Sequence, residues 1–225
     1  MSRLGIVAGM RSETACLKSA SIHNNNEYNL TFCAGGSPGR AYTGAEHLLR
    51  NGANALMSFG IAGALEPTLT PGQIVLAENV IDGTGKQFQT DKIWYRTLSE
   101  ILTPHVEFTC GSIATTENAA TTPMEKASLF SRTGALAVDM ESSGVGAAAE
   151  RHNVPFIAIR AIADPASRRL PKSALAGLTP DGTTRPISVL LGLVLRPWEL
   201  PGLMLLGRDT STALGSLRRV AALGF

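Results

Sequence analysis

Short apolar runs alternate with segments of helical periodicity over most of this 225-residue chain. The runs are rich in Val, Ile and Phe, and they predict strands at 3–8, 28–34, 55–59, 73–80, 108–115, 135–140 and 154–162. Helices are predicted around 41–49, at 91–102, from Pro123 with Thr122 as N-cap, and at 141–152. Apolar strands that alternate with helices are typical of a mostly parallel sheet covered on both faces. The sequence therefore predicts an α/β fold with a central mixed, mostly parallel twisted sheet flanked by helices.

The length of the chain favours one domain. A chain of 225 residues, 44% of them hydrophobic, can bury roughly 70% of its extended surface in a single core. Beyond Pro165 the pattern changes to a polar loop at 167–185, followed by apolar segments at 187–195 and 200–223 that predict one or two helices. No internal repeat or long linker interrupts the sequence. We expect residues 1–225 to form a single domain in which the C-terminal tail, 167–225, docks on the same core.

Charge and cysteine usage exclude several classes of partner. A net charge of +2, with charged residues at only 17%, is too weak and too scattered for a nucleic-acid-binding surface. The three cysteines, Cys16, Cys33 and Cys110, and the four histidines have no spacing that suits a metal. We expect a reduced, cytoplasmic protein with no metal and no nucleic-acid partner.

Neither end of the chain predicts a membrane anchor. The apolar stretch at 4–8 is interrupted too soon to be the core of a signal peptide, so it predicts the first strand. The longest apolar segment, 187–206, is broken by charges and prolines at 196, 197, 199 and 201. We expect no transmembrane span.

Carboxylates follow three of the predicted strands, at the positions where α/β sheets bind their ligands. Glu13 follows the first strand, Glu141 follows the sixth and Asp164 follows the seventh; a glycine-containing stretch, 60–63, follows the third. A single carboxylate at a helix N-terminus is often only a cap favoured by the helix dipole. Three of them on one edge of the sheet predict a ligand site.

Four separated segments resemble the superfamily of purine nucleoside phosphorylases and methylthioadenosine/adenosylhomocysteine nucleosidases. They are Gly5 to Glu13, Gly60 to Val75, the Ala-Val-Asp-Met-Glu run at 137–141, and 153–164, which ends in Ala-Ile-Ala-Asp. Their order and spacing agree with the superfamily over residues 4–165. The resemblance implies a nucleoside phosphorylase-like fold and cleavage of the N-glycosidic bond of an adenosine-like nucleoside. It implies no cofactor, with phosphate as a co-substrate only if the reaction is phosphorolysis.

The resemblance also implies a role for each matched residue. Asp164 would be the acid that protonates or hydrogen-bonds N7 of the purine, and Glu13 would orient and deprotonate the attacking water of the hydrolytic members. Glu141 would accept hydrogen bonds from the 2′- and 3′-hydroxyls of the ribose, over an apolar wall formed by Met140. Further substrate contacts would come from Ala62, Gly63 and Ala120.

The chain departs from the superfamily around the acid and the phosphate site. Ala163 precedes the acid where a Ser is common, so one supporting hydrogen bond is lost. Ser58 and Ile61 stand where hexameric phosphorylases have an Arg and a Ser that bind phosphate. Arg40 and Arg11, in predicted loops, are therefore the candidates for phosphate binding, because a guanidinium fits phosphate oxygens. The choice between water and phosphate stays open.

The tail is similar to the hopanoid-associated phosphorylase branch of the superfamily. The similar segments are 181–186, 196–201 and 208–209. That branch is implicated in releasing adenine from adenosylhopane, a nucleoside whose ribose carries a large triterpene. Apolar side chains of the tail would meet such a lipid-linked substrate, the surface of a membrane, or a second subunit of a homo-oligomer, for which a dimer is favoured. These side chains are Leu190, Leu191, Leu193, Val194, Trp198, Leu203, Met204 and Leu205.

Three alternatives remain. The enzyme would be a methylthioadenosine/adenosylhomocysteine nucleosidase, or the chain would bind a nucleoside or lipid without catalysis. The third is a dinucleotide site, since 144–149 fits G-x-G-x-x-A and Asp164 follows twenty positions after Gly144. Residues 141–143 separate these glycines from the preceding strand, so we expect them to lie inside a helix and to serve close packing.

Overall fold

A central eight-stranded sheet organises the computed structural model, which describes residues 3–24, 29–176, 182 and 193–224. The strands are β1 (Leu4–Ala8), β2 (Leu30–Cys33), β3 (Ala55–Ala64), β4 (Ile74–Ile81), β5 (Gln87–Gln89), β6 (Phe108–Thr115), β7 (Ala137–Asp139) and β8 (Phe156–Asp164). The helices are α1 (Arg11–Asn24), α2 (Pro38–Arg50), α3 (Lys92–Leu102), α4 (Pro123–Thr133), α5 (Ser142–His152), α6 (Lys172–Ala176) and α7 (Leu200–Leu223), with a 3₁₀ turn at Pro197–Glu199.

The sheet is mixed and mostly parallel, which confirms the predicted fold class. Parallel pairs join β1 to β2 and β3, β3 to β8, and β6 to β4 and β7. Antiparallel pairs join β3 to β7, and β4 to β5 and β8. Because β8 pairs with both β3 and β4, the strands β3, β7, β6, β4 and β8 close into a ring, which brings β3, β7 and β8 together on one side.

The helix starts follow the expected capping chemistry. Thr122 accepts a hydrogen bond from the backbone N–H of Glu125, whose side chain accepts from the backbone of Thr122 in return, so the predicted N-cap of α4 is confirmed as part of a capping box. Asp91 caps α3 and Ser37 caps α2 through side-chain oxygens that accept hydrogen bonds from backbone N–H groups of the first turn. These caps fix where α2 and α4 begin, beside the cavity described below.

The last helix packs on the sheet. Ala213, Leu217 and Val220 of α7 are buried in one cluster with Ile157 and Ile159 of β8. The helix predicted over 187–195 is described only at 193–195, where the chain is helical. Leu190, Leu191 and the tail segment at 183–186 lie outside the described residues. In the part of the chain that the structure describes, no helix combines the length and the apolarity needed to cross a membrane.

Two local predictions were wrong, and one short strand was missed. The stretch 60–63 does not follow β3 but continues it as far as Ala64, because it goes on pairing with β8 and then β7 through a register shift at 62–63. Arg11 is the first residue of α1 and Arg40 lies in the first turn of α2, so neither is in a loop. The short strand β5 was not predicted, since only Phe88 is buried among its three residues.

The glycines of the G-x-G-x-x-A pattern lie inside α5, as expected. A Cβ added at Gly144 would collide with the carbonyl oxygen of Pro38 and would lie 2.9 Å from the backbone nitrogen of Tyr42. The glycine therefore lets α5 pack closely against α2 and forms no phosphate-binding turn.

Candidate active site

A cavity of about 570 Å³ opens where β1, β3, β7 and β8 end. The structure brings most of the predicted site residues to its wall: Glu13, Arg40, Ala62, Gly63, Ala120, Met140, Glu141 and Asp164. Residues 116–120, which follow β6, complete one side. Arg11 is exposed and is not among the lining residues. Residues from six separated segments thus meet at one site.

Glu13 is held by backbone donors at the start of α1. The backbone N–H of Met10 donates to Oε2 at 2.7 Å, and that of Ile61 donates to Oε1 at 2.9 Å. The side chain is almost fully buried. Burial raises the pKa of Glu13, while the charge of Arg160 and the backbone N–H groups oppose that rise. A fixed carboxyl group with a raised pKa has the proton affinity that a general base needs.

Glu141 lies between the end of β7 and the first turn of α5. Its carboxyl group passes so close to Gly9 that a Cβ there would collide with Oε1, so a larger residue at position 9 would displace this carboxyl group. Burial raises the pKa of Glu141 to about 8; Arg160 opposes the rise, whereas Asp139 and Glu13 add to it by repulsion. Met140 lines the cavity beside this carboxyl group.

Arg160 is the cation behind these carboxyl groups, and the sequence predictions missed it. It is fully buried in β8; its Nε donates to Asp139 Oδ2 at 2.6 Å, and its Nη2 donates to Ser58 Oγ at 2.7 Å. Nη2 also lies 3.4 Å from Glu141 Oε2. A Cβ at Gly60 would lie 2.5 Å from Nη1 and 2.7 Å from Glu13 Oε1, so one guanidinium borders Asp139, Glu141 and Glu13.

Asp164 ends β8 and forms an ion pair with Lys126 of α4, a second residue that the sequence predictions missed. The Nζ of Lys126 donates to Asp164 Oδ2 and, at 2.9 Å, to the carbonyl oxygen of Pro165. Burial raises the pKa of Asp164, and the charge of Lys126 opposes this. Among the described residues, the acid candidate is therefore supported by a lysine.

The two arginine candidates for an anion site differ in position. Arg40, in the first turn of α2, lines the cavity and donates from Nε to the carbonyl oxygen of Ala34 at 2.7 Å. Arg11 is solvent-exposed, as noted above. Phosphate binding by Arg40 stays a prediction. In the described residues, no three His, Cys, Asp or Glu side chains are grouped so as to hold a metal ion.

The raised pKa of Glu141 predicts a pH-dependent stability. Between the ordinary pKa of 4.5 and about 8, the native protein keeps a proton that the unfolded chain has released, so stability falls as pH rises through this range. In Glu141→Gln this proton is absent, so the free energy of unfolding should decline with pH less steeply, by up to about 1.4 kcal/mol per pH unit. Urea unfolding at pH 5, 6.5 and 8 measures the free energy of unfolding of both proteins. Glu150→Gln, which alters an exposed pair with Lys86, should keep the wild-type slope; equal slopes for Glu141→Gln and wild type would contradict the prediction.

Comparisons with known proteins identify the family and the fold. The sequence model of the phosphorylase superfamily matches residues 23–179. No curated protein sequence matches the chain significantly. Among solved structures, a *Helicobacter pylori* methylthioadenosine nucleosidase mutant with 5′-methylthioadenosine in its active site is 15% identical, with a TM-score of 0.72 and 98% of each chain covered.

Two further structures have the same fold. The futalosine hydrolase of *Helicobacter pylori* is 15% identical, with a TM-score of 0.71 and 97% of each chain covered. The 5′-methylthioadenosine/S-adenosylhomocysteine nucleosidase of *Neisseria meningitidis*, in complex with methylthio-immucillin-A, is 14% identical, with a TM-score of 0.72 and 99% of each chain covered. Since the family match also spans well over half of the sequence, the chain belongs to the phosphorylase superfamily of enzymes.

Proposed function

We propose that this protein cleaves the N-glycosidic bond of an adenosine-like nucleoside. The observation that carries the proposal is that Glu13, Glu141 and Asp164, all buried, line one cavity of about 570 Å³. A cavity of this size suits a small organic ligand, and buried carboxyl groups with raised pKa values are typical of catalytic sites. The proteins that share its fold include nucleosidases, one of them with 5′-methylthioadenosine bound.

Each carboxyl group has a task in such a reaction. Asp164 gives a proton to the purine. The purine then keeps the electron pair of the breaking C–N bond and leaves as a neutral base. Glu141 accepts hydrogen bonds from the ribose hydroxyls, and its carboxylate form, which becomes populated as the pH approaches its pKa of about 8, stabilises the positive sugar of the transition state. Glu13 takes a proton from the attacking water, whose oxygen bonds to the anomeric carbon. The products are free adenine and a free sugar hydroxyl.

Electrostatics favour water over phosphate as the nucleophile. Asp139, Glu141 and Glu13 lie around a single guanidinium, that of Arg160, and phosphate would bring two further negative charges beside them. Among the described residues that line the cavity, Arg40 is the one Lys or Arg, and its Nε already donates to a carbonyl oxygen. A neutral water molecule carries no such penalty, so we propose hydrolysis.

The preferred substrate in this proposal carries a large apolar group at the 5′ position, as adenosylhopane does. The similarity of the tail to the hopanoid-associated branch supports this. Val194, Trp198 and Met204 are 77%, 73% and 69% exposed, while Leu193 and Leu203 are half-buried. This segment is tied to the cavity wall: Leu170 lines the cavity, and three residues later the backbone N–H of Ser173 donates to Glu199 at 2.9 Å.

Adenine release from two substrates, with and without phosphate, tests the proposal. We expect release from a 5′-alkylated adenosine without phosphate, and less than about a twofold change when phosphate is added. A long alkyl chain should raise kcat/KM at least about tenfold over 5′-methylthioadenosine, because each buried methylene contributes about 0.8 kcal/mol. Dependence on phosphate would replace hydrolysis by phosphorolysis, and preference for 5′-methylthioadenosine would favour the nucleosidase alternative. No release from either substrate would favour a binding protein.

A further inference from the structure

Lys126 is fully buried in the second turn of α4, and its ammonium group is enclosed by acceptors. The Nζ donates to Asp164 Oδ2, to the carbonyl oxygen of Pro165 at 2.9 Å and to that of Arg168 at 3.3 Å. An ammonium group has three donors, so each has a protein acceptor. Burying a lysine costs free energy of folding unless its charge is paired in this way. We take its presence beside the cavity as an indication of a specific task there.

The same contacts fix the chain that follows the acid. Lys126 holds two carbonyl oxygens of the segment 165–168, and the backbone N–H of Leu170 donates to the carbonyl oxygen of Thr121 at 2.8 Å, just before α4 begins. The capping box of Thr122 and Glu125 fixes the start of α4 itself. Lys126 therefore anchors both Asp164 and the segment 165–168 to α4.

The two carboxyl oxygens of Asp164 have different surroundings. Oδ2 accepts from Lys126, whereas Oδ1 accepts no hydrogen bond from the described residues. A Cβ at Gly63 would lie 3.2 Å from both oxygens, so the missing side chain leaves the carboxyl group room at the cavity wall. With Oδ2 held in place, Oδ1 is the oxygen available to a ligand in the cavity.

We propose that Lys126 is a positioning residue for Asp164: it fixes the carboxyl group, leaves Oδ1 to the substrate base, and strengthens the acid through its positive charge. The inference rests on the proposed nucleoside cleavage. Proton transfer is most efficient when the acid has a pKa near the working pH. Burial alone would raise the pKa of Asp164 so far that it would be too weak an acid. The positive charge of the Lys126 ammonium group opposes this rise.

In the part of the chain that the structure describes, the charged groups that face Asp164 come from α4, from α7 and from the segment after β8. Lys126 of α4 is in contact, Arg168 follows β8, and Asp209 of α7 pairs with Arg168. Because Arg168 and Asp209 neutralise each other, Lys126 is, among the described residues, the cation whose charge acts on the acid without a second carboxylate to offset it. Removing an opposite charge at this distance raises the pKa of a carboxyl group by about 1 to 3 units.

Lys126→Met and Lys126→Arg test the inference on the full chain with a 5′-alkylated adenosine. For Lys126→Met we expect kcat to fall at least about tenfold while KM changes less than about threefold, and the basic limb of the kcat–pH profile to move up by about 1 unit or more. Lys126→Arg should keep the wild-type limb. Lys126→Gln, which keeps two N–H donors without the charge, replaces the Met variant if that one fails to fold. Lys86→Met, which breaks an exposed ion pair, is the matched control and should behave like wild type.

A second readout does not require activity. Carboxyl-labelled aspartate, with the Asp164 signal assigned by its loss in Asp164→Asn, reports the pKa of Asp164 by ¹³C NMR; it should rise by about 1 unit or more in Lys126→Met. Failure of the wild type to release adenine, together with this rise, would sink the proposed function and leave the charge coupling standing. An unmoved pKa, or a kcat that falls without a shift of the basic limb, would overturn the role of Lys126 and leave it a structural residue.

Discussion

Asp164→Asn should lower the kcat of adenine release by about 10²- to 10⁴-fold, because an amide cannot give a proton to the leaving purine. Asp164 is the carboxyl group at the end of β8, buried in the cavity wall and oriented by Lys126. The carboxyl group of Glu141, which we propose binds the ribose, is untouched by the change, so KM should move much less than kcat. Steady-state kinetics across the pH range, with adenine quantified directly, measures both constants.

Two controls separate chemistry from folding in this experiment. Asp164→Asn leaves the buried Lys126 without its ion-pair partner, so the variant should also be less stable; combining it with Lys126→Met should recover stability without recovering activity. Asp82→Asn changes an aspartate in the turn after β4 that does not line the cavity, and its kcat should stay within about threefold of wild type. A wild-type kcat in Asp164→Asn would remove Asp164 from the proposed mechanism.

The fold was largely predictable because its strands are short apolar runs with clear ends. The limits predicted for β6 agree with the observed Phe108–Thr115, and the run of α7 agrees with Leu200–Leu223. β3 was predicted to end at 59 because glycine weakens a strand pattern. In the structure, Gly60 and Gly63 lie within the strand. Buried side chains of β8, among them Arg160 and Asp164, occupy the space that a Cβ would fill at these positions, which explains why both residues are glycines.

The carboxyl groups of the site could be predicted and their cations could not. Glu13, Glu141 and Asp164 each follow a strand, and strand ends meet at one edge of a sheet. Lys126 has the sequence surroundings of a surface lysine in the second turn of a helix, and its acceptor lies 38 positions away. Arg160 did carry a signal, since a cation within the apolar strand 156–163 must have a buried partner. The Ala163 departure predicted a lost hydrogen bond to the acid, and Lys126 supplies one instead.

Arg160→Met should destabilise the protein by about 3 to 5 kcal/mol, the cost of breaking a buried ion pair by removing one partner. The guanidinium is the cation shared by Asp139, Glu141 and Glu13, and methionine fills comparable space without the charge. The pKa values of Glu13 and Glu141 should rise further, so the loss should grow from pH 5 to pH 8, as these carboxyl groups hold protons in the native protein that the unfolded chain releases.

Urea unfolding of Arg160→Met at the two pH values measures both effects, with Arg151→Met as the matched control. The side chain of Arg151 is 70% exposed and lies 4.0 Å from Glu46, so its loss should cost less than about 1 kcal/mol at either pH. If Arg160→Met were as stable as Arg151→Met, the carboxyl groups of the site would not depend on a shared cation. If it is unstable mainly at high pH, the guanidinium is what allows three acidic side chains to share one small cavity, and activity that depends on their charges should be lost with it.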